Sequence, residues 1–157
     1  EPPEPGVMAQ PPRPRDESLL RGFVVWRVVF VSLLFLAGIF GARFWALYNY
    51  DDSVVASTLA VNTLVAMEVF YLFAVRYLDT PSITLRGVLG TPVVLLAVFA
   101  VIVLQSLFTW VPWFQDTFAS TALSPEALGF AVLAGVAVLV LLELETAIRR
   151  RFRAARG

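Results

Sequence analysis

VVFVSLLFLAGIFGA, Val28 to Ala42, is an uncharged apolar run at the centre of a longer apolar stretch from about Phe23 to Tyr48. About twenty such residues cross the hydrocarbon layer as a helix, because backbone groups there can be satisfied only within the segment. The stretch therefore predicts a transmembrane helix, and three more follow from it. The second runs over 54–75, interrupted by Asn62 and Glu68. The third runs over 90–111, opening near Pro92, where a missing N–H costs least, and stopping at Pro112. The fourth runs over 127–148, with Ser124 as its N-cap and Pro125 at the first helical position.

Composition agrees with these spans. Of 157 residues, 59% are hydrophobic and 15% charged, with a mean hydropathy of +0.78, outside the balance that keeps a soluble surface wet. The fold class expected is all-α: an integral membrane protein of four transmembrane helices running up and down. Acidic and basic residues both number 12, so overall charge points to no nucleic-acid partner. The absence of Cys and His excludes disulfides, thiolate nucleophiles, zinc clusters and histidine bases, and leaves hard oxygen ligands for any metal. No Gly-rich phosphate loop and no soluble domain able to hold a nucleotide are present, so this chain alone does not hydrolyse ATP and carries no catalytic or cofactor-binding residue. The opening, Glu1 to Glu17, is rich in Pro and charge without an apolar core and is not a signal peptide. A first residue other than Met points to a processed chain or a fragment.

Charge placement gives orientation. Arg13, Arg15 and Arg21 precede the first helix, Arg76 and Arg86 lie between the second and third, and Arg149, Arg150, Arg151, Arg153 and Arg156 follow the fourth. The other two loops hold Asp51, Asp52, Asp116 and Glu126 and no Arg. Positive residues stay inside, which puts both termini on the cytoplasmic side of a cell membrane. Trp45, Tyr48, Tyr50, Trp110 and Trp113 mark the outer interface, and Trp26 and Tyr77 the inner one. The expected layout is a cytoplasmic linker over 1–20, a membrane domain over 21–148 and a basic cytoplasmic tail over 149–157. That tail also suits contact with anionic lipid head groups. Small residues four apart, Ala37 with Gly41, Gly38 with Ala42, and Ala127, Ala131 and Gly135, identify faces where helices can approach closely.

Glu68 is the residue that points to chemistry. An ionised carboxylate within a span costs several kcal/mol unless it is paired, hydrated or metal-bound. At about 100° per residue, Ser57, Val61, Leu64, Glu68 and Val75 share a stripe, and Asn62 lies about 120° away, facing a neighbouring helix instead. Two roles stand side by side for Glu68: ligand to a cation, or partner of Arg27, which lies at similar depth in the first helix. Arg43 is expected to snorkel to the outer interface near Asp51 and Asp52. Gln105 could line a pathway, but a single amide in a span more often bonds between helices. Glu145 and Arg149 have the spacing of a helical surface pair, and with Glu143 they form a charge cluster at the helix end.

Glu1-Pro-Pro-Glu-Pro-Gly-Val-Met, then Pro11-Pro12-Arg13-Pro14 and Glu17-Ser18-Leu19-Leu20, resembles the cytoplasmic segment that joins the sixth and seventh membrane helices of cation-transporting P-type ATPases. Phe23-Val24-Val25-Trp26-Arg27 looks like the start of the seventh helix, Thr58 to Phe73 (TLAVNTLVAMEVFYLF) is similar to the eighth, and Leu142-Glu143-Leu144-Glu145 with the arginines after it resembles the end of the tenth. The resemblance covers the whole chain. It implies the last four membrane helices of a calcium-pump-like protein, serving mainly as rigid support, with Pro11 to Arg15 near the coupling to the phosphorylation domain. In calcium pumps of this family a Glu on the eighth helix supplies a carboxylate to a transport site, which here maps to Glu68, the only carboxylate in that helix. ATP, magnesium, the phosphorylated Asp and the remaining ion ligands are implied for parts of a full-length pump outside this chain. Its implied partners are the bilayer, the pump's other helices and cytoplasmic domains, and the transported cation: calcium, or the sodium, potassium, proton or magnesium of other members. The alternative is a free-standing four-helix membrane accessory or assembly protein.

Overall fold

A computed structural model describes residues 22–75 and 92–154 of the chain. All regular structure among them is helical: α1 (Gly22–Tyr50), α2 (Ser53–Val75), α3 (Pro92–Trp110), α4 (Pro112–Phe118) and α5 (Pro125–Ala154). Four of these, α1, α2, α3 and α5, are long and apolar enough to cross a membrane. The four spans agree with the sequence expectation. The arginines of the opening segment and of the α2–α3 connection, with Tyr77 and Pro11 to Arg15, lie outside the described residues.

Local chemistry sets the helix ends. At the α1–α2 turn Asp51 takes a left-handed φ of 49°, a conformation Asp tolerates better than most residues, and its N–H donates to Leu47 O at 3.0 Å. Asp52 then caps α2: its Oδ1 accepts from Val54 N at 2.7 Å and Val55 N at 3.3 Å. Ser124 caps α5 as expected, its Oγ accepting from Ala127 N at 3.2 Å, with Pro125 first in the helix. That helix continues to Ala154 rather than ending at Ile148. Pro112, expected only to stop α3, also opens the short helix α4, since a residue without an N–H suits position one of a helix as well as it ends the previous one. Ala119 closes α4 in the left-handed region at φ 51°, held there by Ser120, whose N–H donates to Gln115 O at 3.1 Å and whose Oγ donates to Phe108 O at 2.6 Å.

The chain divides into two compact units, Glu1–Leu33 and Leu34–Gly157. In the described part of the first, Trp26 stacks on Phe30 along α1, with centroids 6.0 Å apart. In the second, α2 and α5 form the closest pair. The buried side of α5 is Ala127, Ala131, Gly135, Val138 and Leu142, recurring every three or four residues as a helical seam requires. A Cβ on Gly135 would run into the Phe70 ring and lie 3.1 Å from Ala66 O, so the absent side chain is what admits α2. The α1 residues of this unit, from Leu34 to Tyr50, lie against this pair. Gly38 receives the Met67 thioether, Ala42, Ala46, Ala56 and Leu59 are fully buried, and Trp45 stacks on Phe130 at 5.0 Å. Of the two small-residue stripes on α1, the Gly38–Ala42 one packs, whereas Ala37 and Gly41 are exposed.

Gly135→Val should overpack the seam and destabilise the folded protein by about 1–3 kcal/mol. Gly129→Ala, whose added methyl meets nothing within 4 Å, should change stability by less than about 1 kcal/mol. Unfolding of the two purified variants in mixed micelles compares them directly, and equal stabilities would remove the seam's special status.

Candidate functional site

The packing of α1 and α5 gives α2 a covered and an uncovered side. Ala56, Leu59, Thr63, Met67 and Ala74 are buried. Ser57, Val61, Glu68 and Leu72 are exposed and lie on one stripe, with Leu64 half-buried between them. Glu68 thus points out of the second unit, on the stripe its spacing predicts. Among the described residues of that unit it has neither a hydrogen bond nor an ion pair. Arg27, in the first unit, is half-buried, and its Nε lacks a hydrogen-bond partner.

Arg43, expected at the outer interface near Asp51 and Asp52, finds a partner in the first turns of α2. Its Nη1 donates to Ser57 Oγ at 2.8 Å, joining α1 to α2 at the head of the Glu68 stripe. Asp52 spends Oδ1 on the two N–H groups at the start of α2. Ser57 lies just one turn further along.

A second polar group is buried where α2 meets α3. Asn62 is 7% exposed and Thr109 fully buried. Asn62 Nδ2 donates to Thr58 O at 2.9 Å and to Thr109 Oγ1 at 3.2 Å, so Asn62 bonds a neighbouring helix as its position predicts. The hydroxyl of Thr109 is 2.8 Å from Gln105 O, and Gln115 Nε2 donates to Thr109 O at 2.7 Å, which folds α4 back onto α3. Thr58 Oγ1 accepts from Thr121 N at 3.2 Å, tying the α4–α5 connection to α2. Sequence reasoning missed Thr58, Thr109 and Gln115. Threonines are common in membrane helices as local bonds to the preceding turn, and no spacing marks these as partners of Asn62. Gln105, expected to bond between helices, instead has its Nε2 buried without a partner. At the far end of α5, Glu145 pairs with Arg149 as their spacing predicts.

Among the described residues no group of three or more carboxylates gathers that could enclose a metal ion. Glu68 can therefore give a cation one carboxylate, and the rest of a coordination shell, six to eight oxygens for calcium, has to come from elsewhere. A family model described as "Cation transporting ATPase, C-terminus" matches residues 1–148. The chain belongs to this cation-transporting P-type ATPase family.

Similar proteins include the "Probable cation-transporting ATPase F" of Mycobacterium tuberculosis, 34% identical over 145 residues, 89% of this chain and 16% of that protein. The "Cation-transporting ATPase pma1" of Synechocystis is 31% identical over 119 residues, 73% of this chain and 13% of its own length. The "Calcium-transporting ATPase 1" of Yarrowia lipolytica is 30% identical over 144 residues, 90% of this chain and 15% of its own. The chain thus spans about a sixth of the cation-transporting ATPases it matches, and corresponds to their C-terminal membrane region.

In this C-terminal region of a P-type ATPase the Asn62–Thr109 link should behave as one interaction. Asn62→Leu and Thr109→Val are each expected to destabilise the bundle, and the double variant by less than their sum, with a coupling of about 0.6 kcal/mol and at most about 1.7. A double-mutant cycle on unfolding free energy measures it, and strict additivity would dissolve the link.

Proposed function

We propose that this chain forms the closing four membrane helices of an ATP-driven cation pump, with Glu68 supplying one oxygen ligand to the transported ion. The observation that carries this is the place of Glu68: it stands on the stripe of α2 that the other helices leave uncovered, without a partner among the described residues of its unit. An ionised carboxylate against acyl chains costs several kcal/mol, so a polar or charged neighbour on that stripe would stabilise it. The rest of a pump several times longer, and the ion it carries, meet that need. The likeness to a calcium-transporting ATPase favours calcium, and an oxygen ligand suits a hard cation.

The remaining assignments rest on the same picture. The seam of α2 and α5 makes the bundle a firm support for helices that move. Arginines before α1, between α2 and α3, and at the end of α5 put both termini in the cytoplasm of a cell whose membrane holds the pump, with residues 1–20 as the incoming link and residues 149–157 against the inner leaflet. ATP and magnesium act in cytoplasmic domains outside this chain.

In the intact pump, Glu68→Gln should raise the cation concentration for half-maximal phosphorylation from ATP about tenfold or more, a loss of at least about 1.4 kcal/mol of binding, with assembly intact. Phosphoenzyme formation titrated against calcium, then against the other candidate cations, measures this. An unchanged midpoint together with loss of folded protein would make Glu68 a structural charge. Recovery of folding on also making Arg27→Gln would identify its partner.

A further inference from the structure

Arg43 sits inside the α1 span, seven residues before its end at Tyr50 and so about 10 Å deep. Guanidinium groups are always charged in proteins, which fixes a positive charge at that depth. Among the described residues of its unit Arg43 forms no ion pair, and its bond goes to the neutral hydroxyl of Ser57. Asp51 and Asp52 stand exposed at the turn between the two helices, where salt and water screen them, whereas Arg43 is half-buried.

The register of α2 connects this charge to Glu68. Ser57 and Glu68 are eleven residues apart, which brings them within about 20° of each other around the helix and about 16 Å apart along it. Val61 and Leu64, between them on the same stripe, are uncharged. Two opposite charges thus lie along one face of α2, too far apart to bond yet close enough for their fields to act in a medium of low dielectric. Glu68 belongs to α2 and Arg43 is tied to it, so their separation holds while other helices move.

We propose that Arg43 is a fixed counter-charge that sets how weakly the Glu68 site holds its cation, an inference that rests on the reading of Glu68 as an ion ligand. The field of the guanidinium opposes a cation beside the carboxylate, whichever side of the membrane the site faces. A transport site has to bind its ion weakly enough to let it leave. Arg43 acts through Glu68 without touching the ion, and the Ser57 hydroxyl fixes its place. A mere tie between α1 and α2 carries the opposite sign: its loss would loosen α2 and weaken cation binding, whereas loss of a counter-charge tightens it.

The test uses the full-length pump in sealed vesicles, with calcium, or whichever candidate cation drives phosphorylation, titrated on each side in turn. Cytoplasmic cation is read by phosphoenzyme formation from ATP, and cation on the far side by its inhibition of dephosphorylation. Arg43→Gln, which keeps a donor for Ser57, should lower both midpoints at least about threefold, and Arg43→Lys should leave them at the wild-type values. Ser57→Asp, which neutralises the guanidinium in place, should act as Arg43→Gln does, so a folding defect in one variant leaves the other to decide. In a Glu68→Gln background Arg43→Gln should shift neither midpoint. Midpoints unchanged or raised in the folded variants, or lowered as much by Arg43→Lys, would overturn the counter-charge. If Glu68→Gln alone leaves the midpoints unmoved, the ion ligand fails and the counter-charge with it. If Glu68→Gln raises them while Arg43→Gln lowers neither, the counter-charge fails by itself.

Discussion

The contact between α2 and α5 at Gly135 is the one on which the rest of the bundle depends. Between helices in lipid there is no hydrophobic drive, because the acyl chains they displace are as apolar as the side chains they gain. What remains is the number of atoms brought within van der Waals range, and this rises steeply as two backbones approach. The missing side chain at Gly135 lets the Phe70 ring and the Ala66 carbonyl reach the α5 backbone, and Ala127 and Ala131 extend the same line. Once that pair is formed, α1 has a surface to occupy: Gly38 accepts Met67, Ala42 and Ala46 disappear from the surface, and Trp45 finds Phe130.

α3 is held by a different force. It has no comparable line of small residues, and its side chains before Gln105 are mostly exposed. Its attachment is polar and lies at one end, where Asn62 meets Thr109 and Gln115 draws α4 back. A polar link surrounded by hydrocarbon is directional, so it fixes the register of α3 against α2 without bringing the full lengths together.

How much of this was legible in the sequence follows from the range over which each feature is determined. The four spans, the Ser124–Pro125 start, the Pro92 start and the Glu145–Arg149 pair depend on a few adjacent residues or one helical turn, and each is found as expected. Asn62 was legible as an interhelical residue because its angle from Glu68 follows from helix geometry alone. Helix α4 was not: Pro112 ends one helix and begins another by the same property, and only the tertiary bonds of Gln115 and Ser120 settle that the second forms. Nor could spacing choose between Gly38–Ala42 and Ala37–Gly41, because both stripes have the same interval and the choice belongs to Met67 on another helix. The bond from Arg43 to Ser57 was not legible, because it depends on how the two helices pack.

α2 is the helix on which these influences meet. One side builds the seam, a second carries Asn62, and the third is the stripe of Ser57, Val61, Glu68 and Leu72. A helix apolar all round needs apolar surroundings all round, and the single carboxylate on the third side breaks that condition. Its ionised form at such depth costs about 2.5–3.5 kcal/mol, and the second unit supplies no compensating partner among its described residues. Water, a cation with its other ligands, or a fixed positive charge from outside that unit can compensate it. A fixed charge would need only proximity. An ion shared with other helices would also need the carboxylate held at a constant place while those helices move, and the Gly135 seam on the opposite side of α2 provides that. On the proposed reading rigid support and ion ligand are one device, because tight packing on one side of α2 fixes the position of the Glu68 carboxylate on the other.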